Sequence, residues 1–126
     1  MSPIGRVDAL VIDGADTMAL ARFWAAMFDT QIASIANEGM PNEAHYIDVA
    51  ATDGAPMFRF QRVPEAKTLK NRLHLDIEVE ALDPAIARVQ ELGGSVIQPL
   101  QTEYGYDFAI MGDPEGNEFC LITPTR

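Results

Sequence analysis

The chain has 126 residues and 48% hydrophobic residues, which fits one folded domain and excludes a disordered chain. No apolar run approaches the ~20 residues that a membrane helix needs, and the first residues lack the apolar core of a signal peptide. The lack of such a run predicts no membrane partner. The formal net charge of −10 repels phosphate backbones, so we do not expect nucleic acid as a partner either.

The first half of the chain predicts a strand, a helix and three further strands. Alternating side chains place these strands at 7–13, 31–37, 44–51 and 57–63. Asp16 or Thr17 caps the predicted helix, which runs to about Asp29. Its apolar residues fall at helical spacing and form one wide face: Leu20, Phe23, Trp24, Met27 and Phe28. We expect Trp24 to be a core residue rather than a ligand platform. A loop is predicted at 38–42.

The second half repeats this order after a polar linker at 64–71. Its clearest signal is 72–79, which alternates perfectly between apolar and polar residues. A helix from Pro84 to Leu92 follows, ended by a left-handed Gly93. The remaining elements are strands at 95–98, 104–111 and 118–123, a loop at 99–103 and a tight turn at 112–117. The sequence therefore predicts a single α+β domain, 1–126, made of two repeats at about 5–63 and 72–124, with each helix covering one sheet face.

Several short motifs spread over most of the chain resemble the vicinal oxygen chelate superfamily, and in particular its small glyoxalase-like branch. They are Ala21-Arg22-Phe23-Trp24, Phe60-Gln61-Arg62-Val63, the segment 70–76 and the segment 113–119. The superfamily includes glyoxalase I, bleomycin-resistance proteins and extradiol dioxygenases. The resemblance implies two βαβββ modules that form a partly open eight-stranded barrel around a central cleft, and it implies a homodimer.

The resemblance also implies where a divalent metal would bind, through one residue on the first and last strand of each module. These positions hold Asp8, Arg59, His74 and Cys120, where the family usually has His, Gln and Glu. Arg59 has no lone pair to offer and its charge repels a cation, so no metal cofactor is expected. If zinc, iron, nickel or manganese does bind, its ligands would be Asp8, His74 and Cys120 or Glu118. Asp8 can instead pair with Arg59.

His74, Asp76 and Glu78 form a polar row on one strand, to which Glu118 adds a carboxylate. The row can perform acid–base catalysis, with His74 and Glu118 as catalytic residues, or bind an amine or guanidinium, or simply be a solvated strand face. Five residues are candidates for the apolar wall of a pocket: Met57, Tyr104, Tyr106, Phe108 and Met111.

Two classes of function remain open, because the fold alone does not choose between them. The first is a protein that binds or sequesters an aromatic or cationic small molecule without a metal. Its expected ligand-binding residues are Asp8, Arg59, His74, Asp76, Glu78, Glu118 and Cys120. The alternative is an enzyme, either a divalent-metal-dependent lyase/isomerase or dioxygenase of the glyoxalase type centred on His74, or a metal-free acid–base catalyst. The lone Cys120 excludes an internal disulfide and predicts a reducing, cytoplasmic location.

Overall fold

The computed structural model describes residues 2–36, 45–103 and 105–124. The chain divides into two compact units, Met1–Ala66 and Lys67–Arg126, called module 1 and module 2 below. Their boundary falls inside the segment 64–71 that the sequence predicts to be a linker. The predicted loop at 38–42 and the candidate wall residue Tyr104 lie outside the described residues.

Module 1 is a four-stranded sheet covered on one face by a helix. Its elements are β1 (Leu10–Gly14), α1 (Thr17–Met27), β2 (Ile32–Ala36), β3 (Tyr46–Val49) and β4 (Phe58–Arg62). The strand order is β1-β4-β3-β2, in which β1 runs parallel to β4 and the other pairs are antiparallel. The Asp16 side chain caps α1 by accepting a hydrogen bond from the Ala19 amide at 3.0 Å, as predicted. The core residues are Leu20, Phe23, Trp24, Ile47, Val49, Phe58 and Phe60.

Module 2 repeats this plan. Its elements are β5 (Asp76–Glu78), α2 (Leu82–Glu91), β6 (Ser95–Glu103), β7 (Tyr106–Gly112) and β8 (Glu118–Pro124), with strand order β5-β8-β7-β6. The core consists of Leu82, Val89, Ala109, Met111, Phe119 and Leu121. The predicted α+β class and the two βαβββ modules are therefore confirmed. Gly93 ends α2 in the left-handed region, with φ at +104°, also as predicted. Neither helix of the described chain is long and apolar enough to cross a membrane.

The predicted loop at 99–103 is wrong, because β6 continues through it to Glu103. β6 is an edge strand, and its register with β7 shifts between Val96 and Gln98 and again between Gln98 and Gln101. Proline is tolerated at edges and bulges, where its missing amide hydrogen costs no ladder bond. Pro99 therefore interrupts the ladder locally without ending the strand.

The strand predicted over 72–79 is also too long, since only Asp76–Glu78 pairs as β5. Leu73, expected on the apolar face, is 69% exposed. The Asn71 side-chain amide donates to the Glu118 backbone carbonyl at 3.0 Å, so a side chain occupies β8 at the point where pairing with β5 would begin. Val7 of the predicted first strand is likewise exposed, and β1 begins only at Leu10.

The strand register corrects the repeat spacing by one residue. Val11 lies opposite Arg59 in module 1, and Asp76 lies opposite Cys120 in module 2. Arg59 and Cys120 keep the spacing predicted between the last strands, so Val11 rather than Leu10 is the counterpart of Asp76. A one-residue shift moves a strand side chain to the other face of a sheet. Asp8, the sequence counterpart of His74, precedes β1 and lies outside the regular ladder.

Candidate functional site

A cavity of about 180 Å³ opens in module 2. Phe108 and Ile110 on β7 supply apolar wall, while the neighbouring residues Ala109 and Met111 point into the buried core. This alternation is what a strand with one core face and one ligand face requires. The other lining residues are Lys70, Asn71, His74, Glu118, Phe119 and Cys120. Of the predicted wall residues in module 2, Phe108 is therefore placed as expected, whereas Met111 is a core residue.

Three donor groups meet at this cavity, and two of them, His74 and Cys120, belong to its lining. One ligand atom each of His74, Asp76 and Cys120 lies within 4.8 Å of the other two. His74 Nε2 is 3.5 Å from Asp76 Oδ1, and both side chains are about half exposed, at 49% and 55%. The structure thus brings together three residues of the predicted site. Asp76 takes part through its direct opposition to Cys120 across β5 and β8.

The surroundings of Cys120 keep its thiol protonated. Burial raises the pKa of the thiol first, and the negative charge and hydrogen bond of Asp76 raise it further. Lys70 opposes this effect with its positive charge. Because the thiolate is the reactive form, this pKa shift disfavours a nucleophilic cysteine despite the nearby imidazole.

Glu118 lines the cavity, but a cation already pairs with its carboxylate. Lys67 Nζ lies 3.3 Å from Glu118 Oε1, and the Glu118 side chain is only 15% exposed. Glu78, by contrast, is exposed on β5 and does not line the cavity. Lys67, Lys70 and Asn71 are not among the predicted site residues, because sequence analysis assigned them to the polar linker at 64–71.

The two predicted site residues of module 1, Asp8 and Arg59, belong to one ion-pair network. Arg59 Nε and Nη2 donate to the two carboxylate oxygens of Asp48 at 2.7 and 3.1 Å. Asp8 lies 3.7 Å from the same guanidinium, so the predicted contact between Asp8 and Arg59 exists but is the longer one. The hydrogen bond from Arg59 lowers the pKa of Asp48, and Asp48 raises that of Arg59 in the same way.

Asp48 is the residue of this network that sequence analysis missed. It lies directly opposite Arg59 on β3 and β4, and directly opposed residues of an antiparallel pair are close neighbours. The alternation of β3 would have placed Asp48 on the polar face of the sheet. No local pattern, however, indicates which residue of the next strand it faces.

Comparison with known proteins agrees with this architecture. A family model described as a glyoxalase-like domain matches residues 9–122. No curated protein matches the chain significantly.

Three solved structures illustrate the likeness. A glyoxalase family protein from Bacillus cereus has a TM-score of 0.72 at 16% identity, covering 99% of this chain and 97% of that one. The antibiotic binding protein TnmS3 from a Streptomyces species has a TM-score of 0.70 at 18% identity, covering 99% and 100%. A glyoxalase/bleomycin resistance protein/dioxygenase family enzyme from Burkholderia phytofirmans has a TM-score of 0.65 at 18% identity, covering 91% and 95%. At such identities these likenesses establish the fold alone.

Proposed function

We propose that this chain, which belongs to the glyoxalase-like domain family, is a small-molecule-binding protein. Its cavity in module 2 holds an aromatic ligand. The observation that carries the proposal is the cavity of about 180 Å³, in which Phe108 and Ile110 lie beside a few polar groups. Apolar walls with a small number of orienting polar groups are the usual composition of a ligand site. The ligand contacts these side chains directly, and binding requires no divalent metal.

The volume of the cavity limits the part of the ligand that it encloses. An apolar cavity of about 150 Å³ accommodates one benzene ring, whereas drug-sized ligands occupy roughly 300–1,000 Å³. We therefore expect one substituted ring to enter, with Phe108 against its face or edge. That one structural neighbour is an antibiotic binding protein supports a binding function for this fold.

The charges favour the aromatic over the cationic character of the ligand. The net charge of −10 attracts cations to the protein as a whole. At the cavity, however, Lys67 pairs with Glu118, His74 lies beside Asp76, and Lys70 also lines the wall. A cationic group would have to compete with the ammonium groups of Lys67 and Lys70, so we expect it to contribute less to binding than the ring does.

The test is calorimetric titration and thermal shift with single-ring phenols, anilines and aliphatic compounds of equal size, all in the presence of a chelator. A ligand raises the melting temperature as its concentration rises, because it binds only the folded state. Phe108→Ala should weaken binding about tenfold or more, since a buried ring contributes roughly 1.5–3 kcal/mol.

The matched control is Tyr106→Ala, which removes a 42% exposed aromatic residue from the same strand, outside the cavity lining. We expect it to leave affinity unchanged. A panel in which no compound raises the melting temperature, or a Phe108→Ala protein that binds as well as the parent, would refute the proposal.

The second candidate is a divalent-metal lyase/isomerase or dioxygenase that uses His74, with Glu118 as a further catalytic residue. The proximity of Asp76 and Cys120 to His74 favours it. The ligand set implied by the resemblance does not fit, because Arg59 is a cation held bidentately by Asp48 and has no lone pair to donate. Turnover that needs an added metal and disappears in His74→Ala would favour this candidate over the first.

We also propose that the protein is a cytoplasmic homodimer. The free Cys120 supports a reducing compartment. The edge strand β6 carries the exposed apolar residues Ile97 and Leu100, a feature that invites pairing between chains. Light scattering coupled to size-exclusion chromatography would measure the mass directly, and a monomeric mass at micromolar concentration would exclude the dimer.

A further inference from the structure

The charged residues that line the cavity of module 2 differ in whether a partner already neutralises them. Glu118 is paired with Lys67, whose Nζ lies 3.3 Å from Glu118 Oε1. His74 Nε2 lies 3.5 Å from a carboxylate oxygen of Asp76. Lys70 also lines the cavity, but it forms no ion pair or hydrogen bond with any residue that the structure describes. Within that part of the chain, its ammonium group is therefore available to a ligand.

Two contacts hold the segment that carries Lys70 against β8. Lys67, three residues before it, forms the ion pair with Glu118. Asn71, the next residue, donates from its side-chain amide to the Glu118 backbone carbonyl at 3.0 Å. Both contacts end on the first residue of β8. Because the chain near Lys70 is anchored before a ligand arrives, binding loses less conformational entropy than it would on a loose loop.

The effect of Lys70 on Cys120 indicates that the ammonium group lies near the polar part of the cavity. Its positive charge opposes the rise in the pKa of the Cys120 thiol, and such an effect weakens with distance. Burial and the negative charge of Asp76 outweigh it, so the thiol stays protonated. An anionic group bound near Lys70 therefore meets no competing thiolate.

The apolar wall and the ammonium group come from different parts of module 2. Phe108 and Ile110 belong to β7, whereas Lys70 precedes β5. Lys70 is exposed although it lines the cavity, so its charged end lies at the rim, in contact with water. The volume of about 180 Å³ exceeds the roughly 150 Å³ of a site for one benzene ring by only the space of a small substituent. A ligand that uses both parts has one ring inside and a small charged group at the rim.

We propose that the ligand of this cavity is a single-ring aromatic acid, whose ring contacts Phe108 and whose carboxylate accepts a hydrogen bond from Lys70 at the rim. This inference rests on the proposed function, because it specifies the ligand class of the same cavity. A hydrogen bond between two charged groups is stronger than one between neutral groups, and the ammonium group has three donors. The second N–H of the Asn71 amide can donate to the same carboxylate, since the first binds Glu118.

The net charge of −10 does not exclude an anionic ligand. Exposed charges that lie more than about 8–10 Å from the rim are largely screened at physiological salt. The carboxylate that lines the cavity, that of Glu118, is paired with Lys67. The overall charge therefore slows the approach of an anion more than it weakens the contact with Lys70.

The experiment compares three planar compounds of nearly equal shape: benzoate, benzamide and benzamidine, which are anionic, neutral and cationic at neutral pH. Calorimetric titration in chelator gives the affinity of each. We expect benzoate to bind about fivefold more tightly than benzamide, the upper range for a partly exposed ion pair, and benzamidine to bind most weakly. Added salt should reduce the preference for benzoate, because the contact at the rim is screened. Acetate, which has the charge without the ring, should not bind measurably.

Two variants with the same change of net charge locate the anion. Lys70→Met removes the ammonium group at the rim and should bring the affinity for benzoate down to about that for benzamide. Arg88→Met removes a cation of α2 that pairs with Glu91 outside the cavity lining, and it should leave the preference unchanged. Lys70→Arg should retain most of the preference. A thermal melt checks folding, and the comparison of the three compounds in the parent protein is valid whether or not a variant folds.

Two results would overturn the inference. The first is a parent protein that binds benzamide or benzamidine at least as tightly as benzoate, and the second is a preference for benzoate that survives in folded Lys70→Met. In both cases a bound ring still supports the proposed function. If none of the three ring compounds binds, the proposed function is contradicted together with the inference, so the two failures are distinguishable.

Discussion

The single tryptophan of the chain allows a sharp test of how module 1 is packed. Trp24 on α1 is 2% exposed and contacts three aromatic rings. It meets Phe23 and Phe58 edge-on, with ring centroids 5.3 and 5.2 Å away, and stacks on Phe28 at 6.1 Å. Replacing it by leucine keeps an apolar side chain but leaves a cavity where the larger ring lay. We expect Trp24→Leu to destabilise the protein.

The size of the effect follows from burial and ring contacts. Truncating a buried tryptophan to alanine costs about 3–5 kcal/mol, and leucine restores part of the lost packing. Each aromatic pair contributes about 0.5–1.5 kcal/mol beyond its buried area, and Trp24 makes three. We therefore expect a loss of about 3 kcal/mol for Trp24→Leu. For Tyr106→Leu, where the ring is 42% exposed, we expect less than about 0.5 kcal/mol.

Urea denaturation followed by circular dichroism measures both variants on the same scale, since fluorescence is lost with the tryptophan. In the parent protein, the emission of Trp24 should be blue-shifted and should move to longer wavelength in the same transition. A loss below about 1 kcal/mol with an unchanged m-value would refute the core assignment of Trp24. An emission maximum typical of a solvated indole in the folded protein would refute it independently.

Three further predictions concern charge and backbone conformation. The hydrogen bond from Arg59 lowers the folded-state pKa of Asp48. The stability that this carboxylate contributes is therefore present above its unfolded pKa of about 3.9 and is lost as pH falls through the folded pKa. Below pH 5, the urea midpoint should fall less steeply with pH in Asp48→Asn than in the parent protein. Because Asp76 helps to raise the pKa of Cys120, Asp76→Asn should speed alkylation of that thiol by iodoacetamide at neutral pH, and an unchanged rate would contradict this electrostatic role. Gly93 has φ at +104°, and an added Cβ would meet nothing closer than 4.0 Å, so Gly93→Ala should cost about 1–2 kcal/mol in thermal unfolding through backbone strain alone. Gly93→Asn should cost less, because asparagine adopts the left-handed region more readily than alanine.

The sequence predicted the two-module fold because the relevant signals are periodic. Phe58 and Phe60 on β4 and Phe119 and Leu121 on β8 alternate with polar residues, and all four are buried as that pattern requires. The extent of each strand was less predictable. A strand is defined by its partner, and alternation in Arg72 to Val79 carries no information on where pairing with β8 begins.

The site was predicted only in part for the same reason. His74, Asp76 and Cys120 each stood out by residue type, and the structure brings them together. Asp48 did not stand out, because its importance depends on lying opposite Arg59. Cross-strand partners come from register, which the sequence fixes only through turns and bulges.

The equivalent positions Arg59 and Cys120 explain why we place the ligand in module 2. In module 1 the cross-strand neighbour of Arg59 is Asp48, whose carboxylate satisfies the guanidinium with two hydrogen bonds. In module 2 the corresponding neighbour of Cys120 is Ile110, which forms apolar wall. Its carboxylate partner comes from the other side, as Asp76 on β5. At equivalent positions, module 1 therefore has a hydrogen-bonded ion pair between Arg59 and Asp48. Module 2 has a cavity with the apolar wall of Ile110 and the polar side chain of Cys120.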